Sequence, residues 1–266
     1  VVLFHILFII KIILNKKNNL NIIMSEKKEQ ESTPQNNKIG TIDNYNYEIL
    51  SEDYTSFDMS FKLIVIGDSG VGKSCLTNNA IKNTFDDAYN ATVGFEFFTF
   101  NIRFNGKVVK LQIWDTCGQE LYRSLITNFY RNSSLAIMVY SIISKETFDN
   151  VEMWLRELRS HSNPDVKVFL IGNKIDLEAE REVTTEQGEN FYKQNNLNLF
   201  LESSAKTGFN SQKIFIKAAE ILYEDFTKYQ DENSSNDNGS TNENNNNNKQ
   251  RLDNYNNGNK KKKACC

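Results

Sequence analysis

Histidine is scarce in this sequence: His5 and His161 are its only two among 266 residues. That leaves almost no room for a His-based metal cluster or a His–Ser catalytic pair. The four cysteines fit neither a metal site nor a disulfide framework, which suits a reducing, cytosolic setting. A net charge of −3 marks no partner of either sign, and no nucleic-acid binding is expected. No internal repeat is visible. The apolar stretch 1–14, interrupted by His5 and Lys11, falls short of the ~20 residues needed to span a bilayer. It also lacks the basic start and small-residue cleavage site of a signal peptide. Met24 therefore reads as the native start, with 1–23 as translated upstream sequence.

Residues 24–60 are rich in Glu, Lys, Asn and Ser, and 229–266 are dominated by Asn, Asp, Ser and Gly. Both read as segments too polar to offset chain entropy, so disorder is expected there. What remains, 61–228, is the size of one domain. Within it, the apolar run 61–67 reads as a strand buried on both faces. Residues 95–104 and 107–114 alternate in and out around Asn105-Gly106, a strong hairpin signal. Further strands are expected at 135–140, 166–171 and 197–201, with helices from Lys73 and over 144–159, 185–194 and 212–228. Strands alternating with helices predict an α/β sandwich around a mostly parallel sheet, the hairpin adding one antiparallel edge strand.

Gly67-Asp68-Ser69-Gly70-Val71-Gly72-Lys73-Ser74, followed by Cys75, fills the pattern GxxxxGK[ST] between a strand and a helix. Small residues let consecutive N–H groups turn around an anion at the positive end of a helix. Lys73 would add a point charge for the β- and γ-phosphates, and the Ser74 hydroxyl a ligand for Mg²⁺. An ordinary Gly-rich turn is the bland alternative, and its position after a buried strand argues against it.

The base is addressed further along. Asn173-Lys174-Ile175-Asp176 follows the 166–171 strand, one strand end along the same sheet edge. A carboxylate at Asp176 could accept from N1–H and the exocyclic amine of guanine, a pairing adenine does not offer. Ser204-Ala205-Lys206 would close that pocket with a backbone N–H and an aliphatic stem. In between lies Trp114-Asp115-Thr116-Cys117-Gly118-Gln119-Glu120. Asp115 could hold Mg²⁺ through water, Gly118 could bring its N–H to the γ-phosphate, and Gln119 could orient the attacking water. Thr92 is a candidate second Mg²⁺ ligand on the loop before the hairpin.

In this order and spacing, these motifs resemble the Ras superfamily. Val93 to Phe97 as VGFEF, WDTCGQE, Tyr130-Arg131 and the Cys265-Cys266 end resemble its Rab branch. The resemblance implies a six-stranded sheet with one antiparallel strand and five helices. It implies a monomeric GTPase binding GTP and GDP with Mg²⁺, acting in vesicle trafficking on the cytoplasmic face of endomembranes. Phe97, Trp114 and Phe129 would form the effector-facing aromatic triad, though those rings could equally be packing under the switch loops. Cys117, Leu121, Ser141 and Ile143 depart from the usual Rab residues without removing a phosphate, Mg²⁺ or base contact.

The expected switch is an order–disorder change, in which Thr92 and Gly118 hold two loops to the γ-phosphate until hydrolysis. No arginine in the sequence is marked as a finger, so turnover should be slow and an activating protein expected. An exchange factor, effectors and a prenyl-binding chaperone are implied by the resemblance. A scaffold that holds nucleotide with little turnover is the competing reading. Cys265-Cys266 is not a C-a-a-X box; the resemblance implies geranylgeranyl groups on both cysteines. Two chains, or one with basic residues, hold a membrane stably, and Lys260, Lys261, Lys262 and Lys263 would add roughly 1 kcal/mol each at an anionic leaflet.

Overall fold

The computed structural model describes residues 38–42, 45–86, 92, 94–117 and 129–236. In chain order these form β1 (Lys38–Ile42), β2 (Tyr45–Leu50), β3 (Met59–Ile66), α1 (Lys73–Lys82), β4 (Phe95–Phe104) and β5 (Lys107–Thr116). There follow β6 (Leu135–Ser141), α2 (Lys145–Asp149), α3 (Val151–His161), β7 (Lys167–Asn173), a 3₁₀ turn (Ile175–Glu180), α4 (Thr185–Gln194), β8 (Leu199–Ser203) and α5 (Ser211–Asn236). One sheet runs β1-β2-β4-β5-β3-β6-β7-β8. The five strands from β5 to β8 in that order are parallel, and β1, β2 and β4 are antiparallel to their neighbours.

The two-sided burial of β3 follows from its sequence. Leu63 and Val65 pack with Leu76 and Ala80 of α1 and Ile214, Phe215 and Leu222 of α5. Ile64 and Ile66 face the opposite layer, with Trp154, Leu155 and Leu158 of α3. A strand sandwiched this way has no polar face over 63–66, hence the four consecutive apolar residues there. The β4–β5 hairpin turns at Asn105 and Gly106, with φ of 47° and 79°, the left-handed pair that a two-residue turn needs to match strand twist. Helix α4 opens with a reciprocal capping box between Thr184 and Gln187.

Four expectations need correction. Residues 24–60 are not disordered throughout, because β1 and β2 form a hairpin on the sheet. Averaged composition hid Ile42 and Leu50, both buried, and Tyr45, whose ring meets Phe104 and Tyr223 edge-on, each at 5.8 Å. These short strands take their partner from β4: Glu48 opposes Arg103 and ion-pairs with it, and the Asn101 amide donates to the Ser51 carbonyl at 2.8 Å. The sheet consequently has eight strands rather than six, and β4 lies inside it rather than at its edge. The helix expected over 144–159 divides at Asn150, which ends α2 and begins α3. The folded part also outlasts residue 228, since α5 continues to Asn236. Residues 1–37, Gly118, Gln119, Leu121 and the tail from 237, with its lysines and Cys265-Cys266, lie outside the described residues.

Candidate functional site

The phosphate-binding pattern occupies the turn from β3 into α1, and its shape explains its composition. A side chain at Gly67 (φ 135°) would place Cβ 2.1 Å from the Val139 carbonyl oxygen. At Gly72 (φ 95°) it would lie 2.4 Å from the Asn173 amide nitrogen. Both positions combine a left-handed backbone with close approach, so glycine is required. Val71 is buried between them, while Ser69 and Gly70 sit exposed at the tip. Lys73 is 5 % exposed, and its ammonium donates to the carbonyls of Gly67 at 2.8 Å and Asp68 at 2.6 Å. Desolvation pulls its pKa down, opposed by the Asp115 carboxylate. An anion placed in the loop would meet this pre-set charge and the N-terminus of α1. Cys75 follows half-buried in α1, its thiol pushed up by burial.

Asp115, next to last in β5, is fully buried, and burial pushes its pKa up to about 7, with the Ser74 hydroxyl opposing. That hydroxyl donates to Asp115 Oδ2 and lies 2.6 Å from Thr92 Oγ1. Asp115 Oδ1 is buried with no hydrogen-bond partner. Three oxygens from α1, β5 and the loop before β4 thus converge, Ser74 Oγ, Asp115 Oδ2 and Thr92 Oγ1, and the same carboxylate carries the orphaned Oδ1. A hard cation that keeps several waters, such as Mg²⁺, fits this donor set. Among the described residues no cluster of three His, Cys, Asp or Glu side chains could hold a metal instead.

Two strands from β3 in the sheet, Asn173 closes β7 at 1 % exposure. Its amide nitrogen donates to the Val71 carbonyl at 2.8 Å. Its oxygen accepts from the Ala205 N–H at 3.1 Å and the Ser203 hydroxyl at 3.2 Å. Asn173 therefore knots the phosphate loop to the segment after β8, and the Ala205 N–H is already engaged by it. Lys174 sits half-buried with φ of 74°; desolvation lowers its pKa, opposed by Asp176. The exposed Asp176 carboxylate accepts from the Ser204 hydroxyl at 2.5 Å, which in turn accepts from the Thr207 N–H at 3.0 Å. This network holds an exposed carboxylate in place, and Lys206, two residues after Ser204, is exposed.

The three aromatic residues expected to face partners do meet. Trp114 lies 5.1 Å from Phe97 and 5.3 Å from Phe129, centroid to centroid, and Phe97 is 49 % exposed. Phe95 joins them, 5.1 Å from Trp114 and 4.8 Å from Phe129. The Lys62 ammonium stands 5.7 Å and 5.9 Å from the rings of Trp114 and Phe129. Phe95 and Lys62 were not singled out in the sequence, although strand pairing of β4 with β5 and β3 with β5 places both beside Trp114. Asp68 was placed in the phosphate loop from the sequence, but the two residues that hold its carboxylate, Trp154 and Asn150, were not singled out. The one available signal was that Asn150 and Trp154 stand four apart at a helix start, on one face. Cys117 and Ser141 are buried behind the site, with the Cys117 N–H donating to the Gly94 carbonyl at 3.0 Å.

A phosphate cradle, a cation-binding oxygen set and an exposed carboxylate thus share the carboxyl ends of β3, β5, β7 and β8, where α/β sheets bind ligands. The family model described as the Ras family matches residues 62–224, from within β3 into α5. The chain belongs to the Ras family of small GTP-hydrolysing switches.

Proposed function

We propose that this protein is a Rab-type switch of vesicle trafficking, which hydrolyses GTP slowly and recruits effectors in its GTP form. The supporting observation is the shared strand-end site, in which Asn173 ties the phosphate loop to the base-reading segment. Beside it, the patch of Phe97, Trp114 and Phe129 offers the half-exposed aromatic surface that interface anchors use.

In this reading, Lys73 leaves the carbonyls of Gly67 and Asp68 for the β- and γ-phosphates. Bound Mg²⁺, held by Ser74, Thr92 and, through water, Asp115, would neutralise charge between those phosphates. Asp176, fixed by Ser204, accepts both guanine donors and excludes adenine. Gln119 orients the attacking water, and the Gly118 N–H meets the γ-phosphate. The proton of that water passes to the phosphate, and its oxygen forms the new P–O bond as the β–γ bridge breaks. Loss of the γ-phosphate releases Thr92 and Gly118, and partners that need both loops dissociate. Geranylgeranylated Cys265 and Cys266, with Lys260 to Lys263, hold the protein to the cytoplasmic face of endomembranes. An exchange factor, an activating protein and a prenyl-binding chaperone complete its cycle.

The test is single-turnover hydrolysis of bound GTP by the full chain beside Gln119→Leu, with ATP as competitor. Slow turnover that falls in the variant and ignores ATP is expected. Tight GTP binding without turnover, even with an activating protein, would point to the nucleotide-holding scaffold. Competition by ATP would overturn the base assignment.

A further inference from the structure

The carboxylate of Asp68 stands in a loop built to receive anionic phosphates. Unless it is held away, such a group repels the ligand and competes for Lys73. Both of its oxygens are taken from one side. The Trp154 indole N–H donates to Oδ1 at 2.7 Å, and the Asn150 amide donates to Oδ2 at 2.8 Å. Trp154 is 1 % exposed in the core beneath α3, so its ring cannot follow the loop if the loop moves. Asn150 begins α3 yet makes no side-chain cap bond to its own helix. Asn is among the best capping residues; here the amide reaches Asp68 instead. The positive end of α3 adds to the pull on the carboxylate.

The same residue's carbonyl accepts from Lys73 at 2.6 Å. Fixing the Asp68 side chain therefore also fixes the peptide that parks the Lys73 ammonium. From this geometry we infer that Asn150 and Trp154 are positioning residues for nucleotide binding, acting through the Asp68 carboxylate. They turn one anion of the phosphate loop away from the phosphates and keep Lys73 available to them. Without them, Asp68 is free to swing toward Lys73, where its charge opposes each added phosphate of the ligand. This rests on the nucleotide reading of the loop, so GDP binding by the unaltered full chain is the control. Absence of binding there would overturn both.

The test compares full-length Asn150→Ala, Trp154→Phe and the double variant, each with and without Asp68→Ala. Release of a fluorescent GDP analogue and relative affinities for GMP, GDP and GTP are measured in Mg²⁺ buffer. We expect the double variant to release GDP about tenfold faster and to lose more affinity for GTP than for GMP. Adding Asp68→Ala to it should recover at least half of that loss on a logarithmic scale, since the freed anion is gone. A purely packing role for Trp154 predicts no dependence on phosphate number and no rescue, and either result overturns the inference. Asn150→Ala, on a half-buried side chain that leaves the core filled, keeps the test decisive if Trp154→Phe folds poorly. Its expected threefold faster release must likewise vanish in the Asp68→Ala background.

Discussion

Replacing Asn173 with alanine tests whether the two halves of the site are one unit. The substitution removes a donor to the Val71 carbonyl and an acceptor for the Ala205 N–H and Ser203 hydroxyl. Two backbone groups are left without partners at a position that is 1 % exposed. Each such orphan costs about 1–3 kcal/mol, so the gross penalty is about 2–6 kcal/mol. Water entering the vacated space recovers part of this, which favours about 2–4 kcal/mol. If the tie serves mainly to hold the bound arrangement, that corresponds to GDP release roughly 30- to 1,000-fold faster, at tenfold per 1.4 kcal/mol. The assay follows a fluorescent GDP analogue displaced by excess GDP, with thermal unfolding measured in parallel. Asn173→Asp should do no better, because it keeps an acceptor for Ala205 but faces the Val71 carbonyl with an anion. Release within threefold of the unaltered protein, alongside a large fall in unfolding temperature, would refute the coupling and leave Asn173 a purely structural residue.

Three further outcomes follow from other parts of the molecule. Leu50→Ala, in the buried end of β2, should cost about 2–3 kcal/mol. That lowers the unfolding temperature by about 4–12 °C while leaving GDP release within twofold, and an unchanged temperature would mean the hairpin adds nothing to the domain. Phe97→Ala removes a ring that is 49 % exposed, so nucleotide affinity should hold while binding of a GTP-selective partner weakens about 30-fold or more; equal binding would remove Phe97 from the interface. Burial holds Lys62 at about 8 against an ordinary 10.5, so between those values the unfolded chain binds more protons and stability rises with pH. Relative to Lys62→Met, the unaltered protein should gain stability from about pH 8 to 10.5 in urea titrations, and a constant difference across that range would contradict the assignment.

What the sequence made legible was chemistry confined to short segments. The phosphate loop could be read because its glycines, lysine and serine fall within eight consecutive residues, even though the close contacts at Gly67 and Gly72 come from Val139 and Asn173. The Asn105-Gly106 turn and the apolar residues 63–66 of β3 were likewise readable from a few consecutive residues. Contacts across the chain were not. Asp68 meets Asn150 and Trp154 at separations of 82 and 86 residues, and Asn173 reaches 102 residues back to Val71. A tetrapeptide pattern marks Asn173 as important without saying that its polar atoms bind protein. The β1–β2 hairpin escaped because its strands, five and six residues long, draw their stability from β4 rather than from their own polar surroundings.

That hairpin bears on how the switch distributes its motion. Among the described residues, β2 pairs with β4 only at 101–104, whereas β5 pairs with β4 along its whole length. The far end of β4 is thereby clamped on both sides, and Asn101, Arg103 and the Tyr45–Phe104 contact fasten it to the N-terminal segment. The near end, from Phe95, continues toward Thr92 and is held through β5, whose own end carries Asp115. Loss of the γ-phosphate would act on Thr92 at the less constrained end. The distal clamp would keep the relaxation from propagating as a slide of β4 along β5, because a one-residue slip reverses every side chain's face and would expose Phe98, Phe100 and Ile102. Switching should therefore rearrange the loops and the Phe95–Phe97 surface while the sheet keeps its register.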